Sequence, residues 1–352
     1  MRTSEFDYEL PPELIAQQPI EPRDASRLLV LHRRDGLIEH RHFRDIGDYL
    51  QGGDLLVGNE SRVIAARLYG RKVPTGGKVE FLLVREREGG IWETLVKPGR
   101  RVQPGALVAI EPATSSGDLP SVTAEVLERT PEGGRLVRFT PPIGPHLDRL
   151  GTVPLPPYIH TPLTNAERYQ TIYARIRGSL AAPTAGLHFT PRLVEQLANR
   201  GIRFAFVVLH ISLDTFRPVS EERIEDHRMH SEWCELGEET ANVVNRARQE
   251  GRRIVAIGST SVRVLESAAC QAEAQGAEDV VLPFRGSTSL FIYPGYRFRA
   301  VDAMITNFHL PRSTLLMLVS AFAGKELVDR AYQEAIQNRY RFYSFGDAML
   351  II

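Results

Sequence analysis

The chain has 352 residues with 43 Lys and Arg against 43 Asp and Glu, so it carries no net charge and no global field to draw it onto nucleic acid or a membrane. Its length exceeds the ~100 to 150 residues over which one core usually grows, which predicts two domains, and 43% hydrophobic with 24% charged residues is globular composition. Cys234 and Cys270, without CxxC spacing, argue against a disulfide scaffold or structural zinc and for a reducing compartment.

The N-terminal MRTSEFDYELPPE has no apolar signal core, and the longest apolar stretch, around LLMLVSAFAG, falls far short of the ~20 residues of a membrane helix. The expectation is a soluble, cytoplasmic protein with no membrane partner. Residues 1 to 60 are acidic, with seven Lys or Arg against twelve Asp or Glu. From 61 to 150 the texture changes to short β-rich runs, VEFLLVRE, WETLVKP, ALVAIEP, SVTAEVLE and RLVRFT, divided by glycine turns. That spacing predicts an inserted small all-β, barrel-like domain. Residues 62 to 101 hold ten Lys or Arg against four Asp or Glu, a net of +6. Arg62, Arg67, Arg71, Lys72 and Lys78 are therefore candidates for tracking a phosphate backbone; the plainer reading is that charged edge strands block aggregation.

PPIGPHLDRLGTVPLPPYIHTP follows, too rich in proline and glycine for a ladder or helix, and reads as a connector. After residue 190 strand and helix alternate. Thr190 and Pro191 are a helix N-cap and first turn, Gly201 a stop, and IRFAFVVLH a run of the kind buried on both faces of a parallel sheet. The same syntax recurs in ANVVNRARQEG, RRIVAIG, SVRVLESAACQAEAQG, VDAMITN and RSTLLMLVSAFAG. The fold class is a large α/β domain with mostly buried parallel strands, residues 1–60 plus 151–352, interrupted by the all-β domain at 61–150.

Ligands of α/β folds sit at the carboxyl ends of strands, where helix N-termini and loops converge. Three such ends carry hydroxyls, amides, arginines and histidines: ISLDTFRPV with Asp214, Thr215 and Arg217, STSVR with Ser259, Thr260, Ser261 and Arg263, and the TNFH stretch with Thr306, Asn307 and His309. A helix cap needs one hydroxyl, and a Ser-Thr-Ser run with Arg263 suits a carboxylate or phosphate; a cap plus a surface arginine is the plain alternative. His188, His210, His227, His230 and His309 all fall at or near strand ends. Each alone reads as a hydrogen-bonded structural histidine, and their grouping is what points to a site. The HxxH of His227 and His230 lacks the HExxH spacing that places two imidazoles on one helical face, so no metal site is expected. In AAPTAGLHFT, Pro183 and Gly186 break a helix, and small residues let a ligand approach while Thr184 and His188 project into the site.

AAPTAGLHFT, LHISLDTFRPV, IEDHRMHSEW, GSTSVRVLES, FIYPGYRFRAVDAMITNFHLPRSTLLMLVSAFAG and YRFYSFGDAMLI, with FDYELPPELIAQQPIEPRD and LVGNESRVIAARLYGRK upstream, together resemble one family, the S-adenosylmethionine:tRNA ribosyltransferase-isomerases of queuosine biosynthesis. The resemblance runs the length of the chain. It implies transfer and isomerisation of the ribosyl part of S-adenosylmethionine onto the aminomethyl-deazaguanine at the tRNA wobble position, giving epoxyqueuosine with release of adenine and methionine. S-adenosylmethionine is then a consumed substrate, with no cofactor or metal, and tRNA the macromolecular partner of a monomer. A base must take a proton from the ribose carbon beside the sulfonium, with His188 or His210 proposed; His309 or His227 would protonate the departing adenine. Asn307 suits a base edge, and Tyr340, Phe342 and Tyr343 suit stacking on a base, although stacked aromatics are commonly core.

Two departures stand out: Ser212 and Asp214 replace glycines usual in the family, and Gly58 and Ala65 replace a phenylalanine and a proline. Three other readings compete, a non-enzymatic RNA-binding homologue, a metal-dependent hydrolase and a conventional methyltransferase. The last lacks the glycine-rich strand-to-helix loop that such folds commonly use.

Overall fold

The β-rich segment and the strand-helix alternation form separate bodies in the computed structural model, which describes residues 1–113, 119–131, 133–212 and 218–352. One compact unit is Met1–Arg62 with Pro156–Ile352, and the other is Val63–Leu155. The divisions fall two residues after 60 and five after 150, the positions expected from composition. The first unit opens with β1 (Arg27–Leu31), β2 (Ile38–His42) and β3 (Leu55–Asn59), after which the chain passes through β4 (Ser61–Val63) into the second.

The second unit is a closed barrel of β5 (Arg67–Val73), β6 (Lys78–Arg87), β7 (Ile91–Lys97), β8 (Leu107–Glu111), β9 (Thr123–Arg129) and β10 (Arg135–Thr140), paired in the order β10-β7-β6-β5-β8-β9. Alternate residues face inward, among them Val108, Ile110, Phe81 and Phe139, the two phenylalanine rings meeting edge to face. Five of the six strands were legible as runs. The sixth, RLYGRKV, was hidden by its charges, yet it closes the barrel by pairing both β6 and β8. Its Gly70 is obligatory, since a Cβ there would lie 2.5 Å from the Ala109 carbonyl oxygen. Arg135 is buried and its guanidinium ties the adjoining loops together, bonding the carbonyls of Val102, Gly133, Gly134 and Gly99. The connector holds more order than its composition suggests: a one-turn helix α1 (Leu147–Leu150), and Thr152 exchanging backbone hydrogen bonds with Arg67 at 2.9 and 3.0 Å.

The rest of the first unit follows as β11 (Ile176–Ser179), α2 (Pro191–Asn199), β12 (Arg203–Leu209), β13 (Glu232–Leu236), α3 (Glu238–Gln249), β14 (Ile254–Ile257), α4 (Gly258–Ala274), β15 (Phe284–Thr288), β16 (Ala303–Asn307), α5 (Thr314–Ala323), α6 (Lys325–Gln337) and β17 (Ala348–Ile351). Thr190 caps α2 through its side chain, accepting from Leu193 N. Nine strands form one mixed sheet in the order β15-β13-β12-β3-β14-β16-β17-β1-β2. The centre, β12-β3-β14-β16, is parallel. The margins are not: β13, β15 and β2 pair antiparallel, and β17 runs against β16.

Successive residues of one strand feed cores on opposite faces. Leu29, Leu31, Leu55 and Val57 join one cluster, and Leu28, Val30 and Leu56 the other. That is why these strands read as unbroken apolar runs. Because β12, β3, β14 and β16 share a direction, their carboxyl ends bring His210, Asn59, Gly258 and Asn307 to one edge of the sheet.

Candidate active site

At that edge lies a cavity lined by Tyr158, Ala182, Pro183, Thr184, Ala185, Ile211, Gly258, Ser259, Thr260, Thr306, Asn307, Phe308, His309, Leu310, Leu315, Tyr343 and Ser344. Gly258, at φ +86, turns the chain from β14 directly into α4, a backbone state that a side chain would strain. The buried α4 thus starts at the cavity wall with no side-chain cap, and its first turn carries the positive end of the helix dipole. Ser259 and Thr260 face the cavity, and the Thr260 Oγ1 is buried without a partner. Ser261 is spent inside the helix, donating to Ile257 O at 2.9 Å.

AAPTAGLHFT is not the open loop its composition suggests: Thr184–His188 forms a 3-10 helix. Thr184 lines the cavity, whereas Gly186 packs against the chain itself, where a Cβ would sit 2.2 Å from the Tyr173 hydroxyl. His188 lines a separate, smaller cavity with Arg23. Its Nδ1 lies 2.7 Å from Ser26 Oγ and its Nε2 3.3 Å from Asn307 Nδ2, while its ring stacks on Phe43. Burial, and then the charges of Arg341 and Arg23, push its pKa down to about 3, so the ring is neutral at neutral pH.

His309 does line the cavity. Its Nε2 is 2.7 Å from Thr306 Oγ1, and burial holds its pKa down at about 3. Its backbone is gripped from both sides: the Tyr332 hydroxyl accepts His309 N–H at 2.9 Å and the Tyr8 hydroxyl donates to its carbonyl. The cavity does not extend to His210, which stacks on Trp233 at 5.1 Å, has its pKa lowered by burial and keeps an Nδ1 without a partner. His227 pairs with Glu221 at 3.0 Å and meets the edge of Phe291.

Arg263 is directed away from any ligand role by its partner. Its guanidinium makes a fully buried ion pair with Glu232 and also bonds the carbonyls of Leu290 and Thr288. Burial alone would raise the Glu232 carboxyl, but His230, 3.4 Å away, and Arg263 outweigh it and hold the pKa at about 2. The other Glu232 oxygen accepts Ser212 N–H at 2.8 Å, so this pair tethers α4 to the chain next to the cavity-lining Ile211. Asp214, Thr215 and Arg217 lie outside the described residues.

Tyr340 is buried, with Arg27 3.7 Å over its ring and its hydroxyl 2.7 Å from His40 Nδ1, which leaves no open face there for a base. Of the basic candidates, Arg62 pairs with Glu167, Arg67 with Glu80 at 3.1 Å and Arg71 with Glu111 at 2.7 Å. Lys72 bonds the Arg101 carbonyl, and Lys78 is exposed at the start of β6. No group of three or more His, Cys, Asp or Glu among the described residues could hold a metal, and no helix among them is long and apolar enough to cross a membrane. Sequence reasoning missed Tyr158, Ser344, Ser26, Glu232, Tyr8 and Tyr332. The first two lie in proline-rich and C-terminal segments with no strand-end signal, and the others matter only through partners remote in sequence.

A family model described as queuosine biosynthesis protein matches residues 3–351. The chain is 56% identical over 355 residues to a Moorella thermoacetica S-adenosylmethionine:tRNA ribosyltransferase-isomerase and 52% identical over 354 residues to one from Acetivibrio thermocellus, each match covering 100% of both chains. It is also similar to a crystal structure of S-adenosylmethionine tRNA ribosyltransferase from Thermotoga maritima, with a TM-score of 0.56 and 44% identity, covering 99% of this chain and 100% of that one. A full-length match at this identity, together with a hydroxyl- and amide-lined cavity at the switch from parallel strands to α4, places the chain in the S-adenosylmethionine:tRNA ribosyltransferase-isomerase family of queuosine biosynthesis.

Proposed function

We propose that the protein transfers and isomerises the ribosyl group of S-adenosylmethionine onto an aminomethyl-deazaguanine at the tRNA wobble position, giving epoxyqueuosine and releasing adenine and methionine. The observation that carries this reading is the cavity at the N-terminus of α4, in a chain whose relatives bear that name over their full length. It is mostly apolar, with a few convergent polar groups, as small-molecule sites are.

The first turn of α4, with Ser259 and Thr260, suits the donor's carboxylate, since free N–H groups and the helix dipole favour an anion there. The sulfonium acidifies the ribose carbon beside it, and a neutral imidazole is the form able to take that proton. His309 is the histidine that lines the cavity, which favours it over His188, His210 and His227 as the base. Its backbone clamp by Tyr8 and Tyr332 would hold the ring in place during the transfer. Outward basic residues of the barrel, Arg71, Lys72 and Lys78, suit tRNA phosphates. The enzyme works as a cytoplasmic monomer without metal or cofactor.

Incubation with S-adenosylmethionine and tRNA bearing the aminomethyl-deazaguanine, with and without chelator, tests this. Adenine and methionine should appear together, only with the modified tRNA and regardless of chelator. Tight tRNA binding with no adenine would leave an RNA-binding protein instead, and chelator sensitivity would favour the hydrolase reading.

A further inference from the structure

Asn307 closes β16 and lines the cavity while being only 2% exposed. Its Nδ2 lies 3.2 Å from the carbonyl of Tyr343 and 3.3 Å from His188 Nε2. A backbone carbonyl accepts in every protonation state, so the atom facing it must be the amide nitrogen, and the amide has no freedom to flip. Since that nitrogen also donates to His188 Nε2, the latter must carry the lone pair. The His188 proton is then on Nδ1, donated to Ser26 Oγ at 2.7 Å. Tyr343 is itself held at φ +69, an uncommon backbone state for a bulky residue, with its N–H on the Phe308 carbonyl. The consequence falls on the remaining amide atom. Asn307 Oδ1 is buried with no partner, and so is Thr260 Oγ1 on the same cavity. A buried acceptor without a donor is costly, which marks it as kept for a ligand.

We infer that His188 and Tyr343 are positioning residues that lock the Asn307 amide, and that Asn307 Oδ1 reads a hydrogen-bond donor, an N–H or O–H, on the small-molecule substrate. The inference rests on the ribosyl-transfer reading for the identity of that substrate. In S-adenosylmethionine three groups have this chemistry: the exocyclic amine of the purine, the ribose hydroxyls and the amino-acid ammonium. On this assignment His188 neither gives nor takes a proton in the reaction; it sets which end of Asn307 meets the substrate.

Two measurements on the intact protein decide it. Imidazole nitrogen NMR should find His188 protonated on Nδ1 and bare on Nε2, unchanged between about pH 5 and 8; a proton on Nε2 overturns the lock. Calorimetric binding of S-adenosylmethionine is then compared with that of three analogues: a 6-oxo purine, a 2′,3′-dideoxyribose and a desamino amino acid. One analogue should bind the native protein at least ~10-fold more weakly, and that penalty should vanish in Asn307→Ala, where no acceptor is left to disappoint. Three analogues all binding within about 2-fold of the parent overturn the readout. If S-adenosylmethionine itself does not bind, the ribosyl-transfer reading falls, and the NMR result still decides the orientation of the amide.

Discussion

Substituting Glu232 by Gln isolates the buried ion pair that braces the cavity. The Glu232 and Arg263 side chains are 1% and 4% exposed, so neither charge has water to fall back on. Gln keeps an acceptor for Ser212 N–H but leaves the guanidinium unpaired, and breaking such a pair costs about 3–5 kcal/mol. The Glu232 carboxyl, held at about 2 instead of 4.5 by His230 together with Arg263, points to a stabilisation of the same order, roughly 3 kcal/mol. Because the folded pKa is depressed, this stabilisation is complete above pH 4.5 and is lost as pH falls toward 2. The gap between native and Glu232→Gln proteins should therefore close over that acid range. Trp92 and Trp233 are the only tryptophans, so urea unfolding in a Trp92→Phe background reports on the first unit through Trp233, the neighbour of Glu232. A Glu232→Leu/Arg263→Met double variant should recover most of the loss, since removing both charges costs less than stranding one. A Glu232→Gln protein within about 0.5 kcal/mol of native at neutral pH would refute the reasoning.

Other outcomes follow from the same structure. Gly186→Ala would drive a methyl onto the Tyr173 hydroxyl, costing about 1–3 kcal/mol, with Tyr173→Phe restoring part of it; thermal melts of the single and double variants check this. Buried His188 and His309, with pKa values lowered to about 3 from 6.5, take up protons only on unfolding, so stability should fall as pH drops from 6.5 toward 3, by roughly 2 kcal/mol per histidine at about pH 5. His309→Asn should flatten that slope by about half, as read from denaturation at several pH values. His309→Ala should lower the rate of adenine release by about 10²- to 10⁴-fold while leaving tRNA affinity unchanged. Replacing Lys72 and Lys78 by Gln should weaken tRNA binding and reduce its log-log salt slope by about 1 for each phosphate no longer neutralised, as measured by filter binding across a salt series.

Much of the architecture was legible locally because burial is written into periodicity. IRFAFVVLH, RRIVAIG and VDAMITN became β12, β14 and β16 because strands buried on both faces have no polar side to alternate with. From there, the rule that ligands meet the carboxyl ends of parallel strands was enough to single out Ser259, Thr260, Thr306, Asn307 and His309, and the small residues of AAPTAGLHFT singled out Thr184; all six line the cavity. Strand direction was not legible: β13, β15 and β2 carry nothing in their own residues that sets them antiparallel to their neighbours, and β17 nothing that sets it against β16 but along β1. Nor did RLYGRKV announce itself, since a barrel strand needs only its inward positions apolar and here one of those is Gly70. The roles of the polar groups were decided later still. Arg263 looked like an anion ligand until Glu232, 31 residues away, claimed it, and His188 looked like a base until Ser26 and Asn307, 162 and 119 residues away, took both its nitrogens. Residue type sets what a polar group is able to donate or accept, and that much is local; which partner takes it up depends on what the folded chain brings within about 3 Å, and that is a property of the tertiary structure alone.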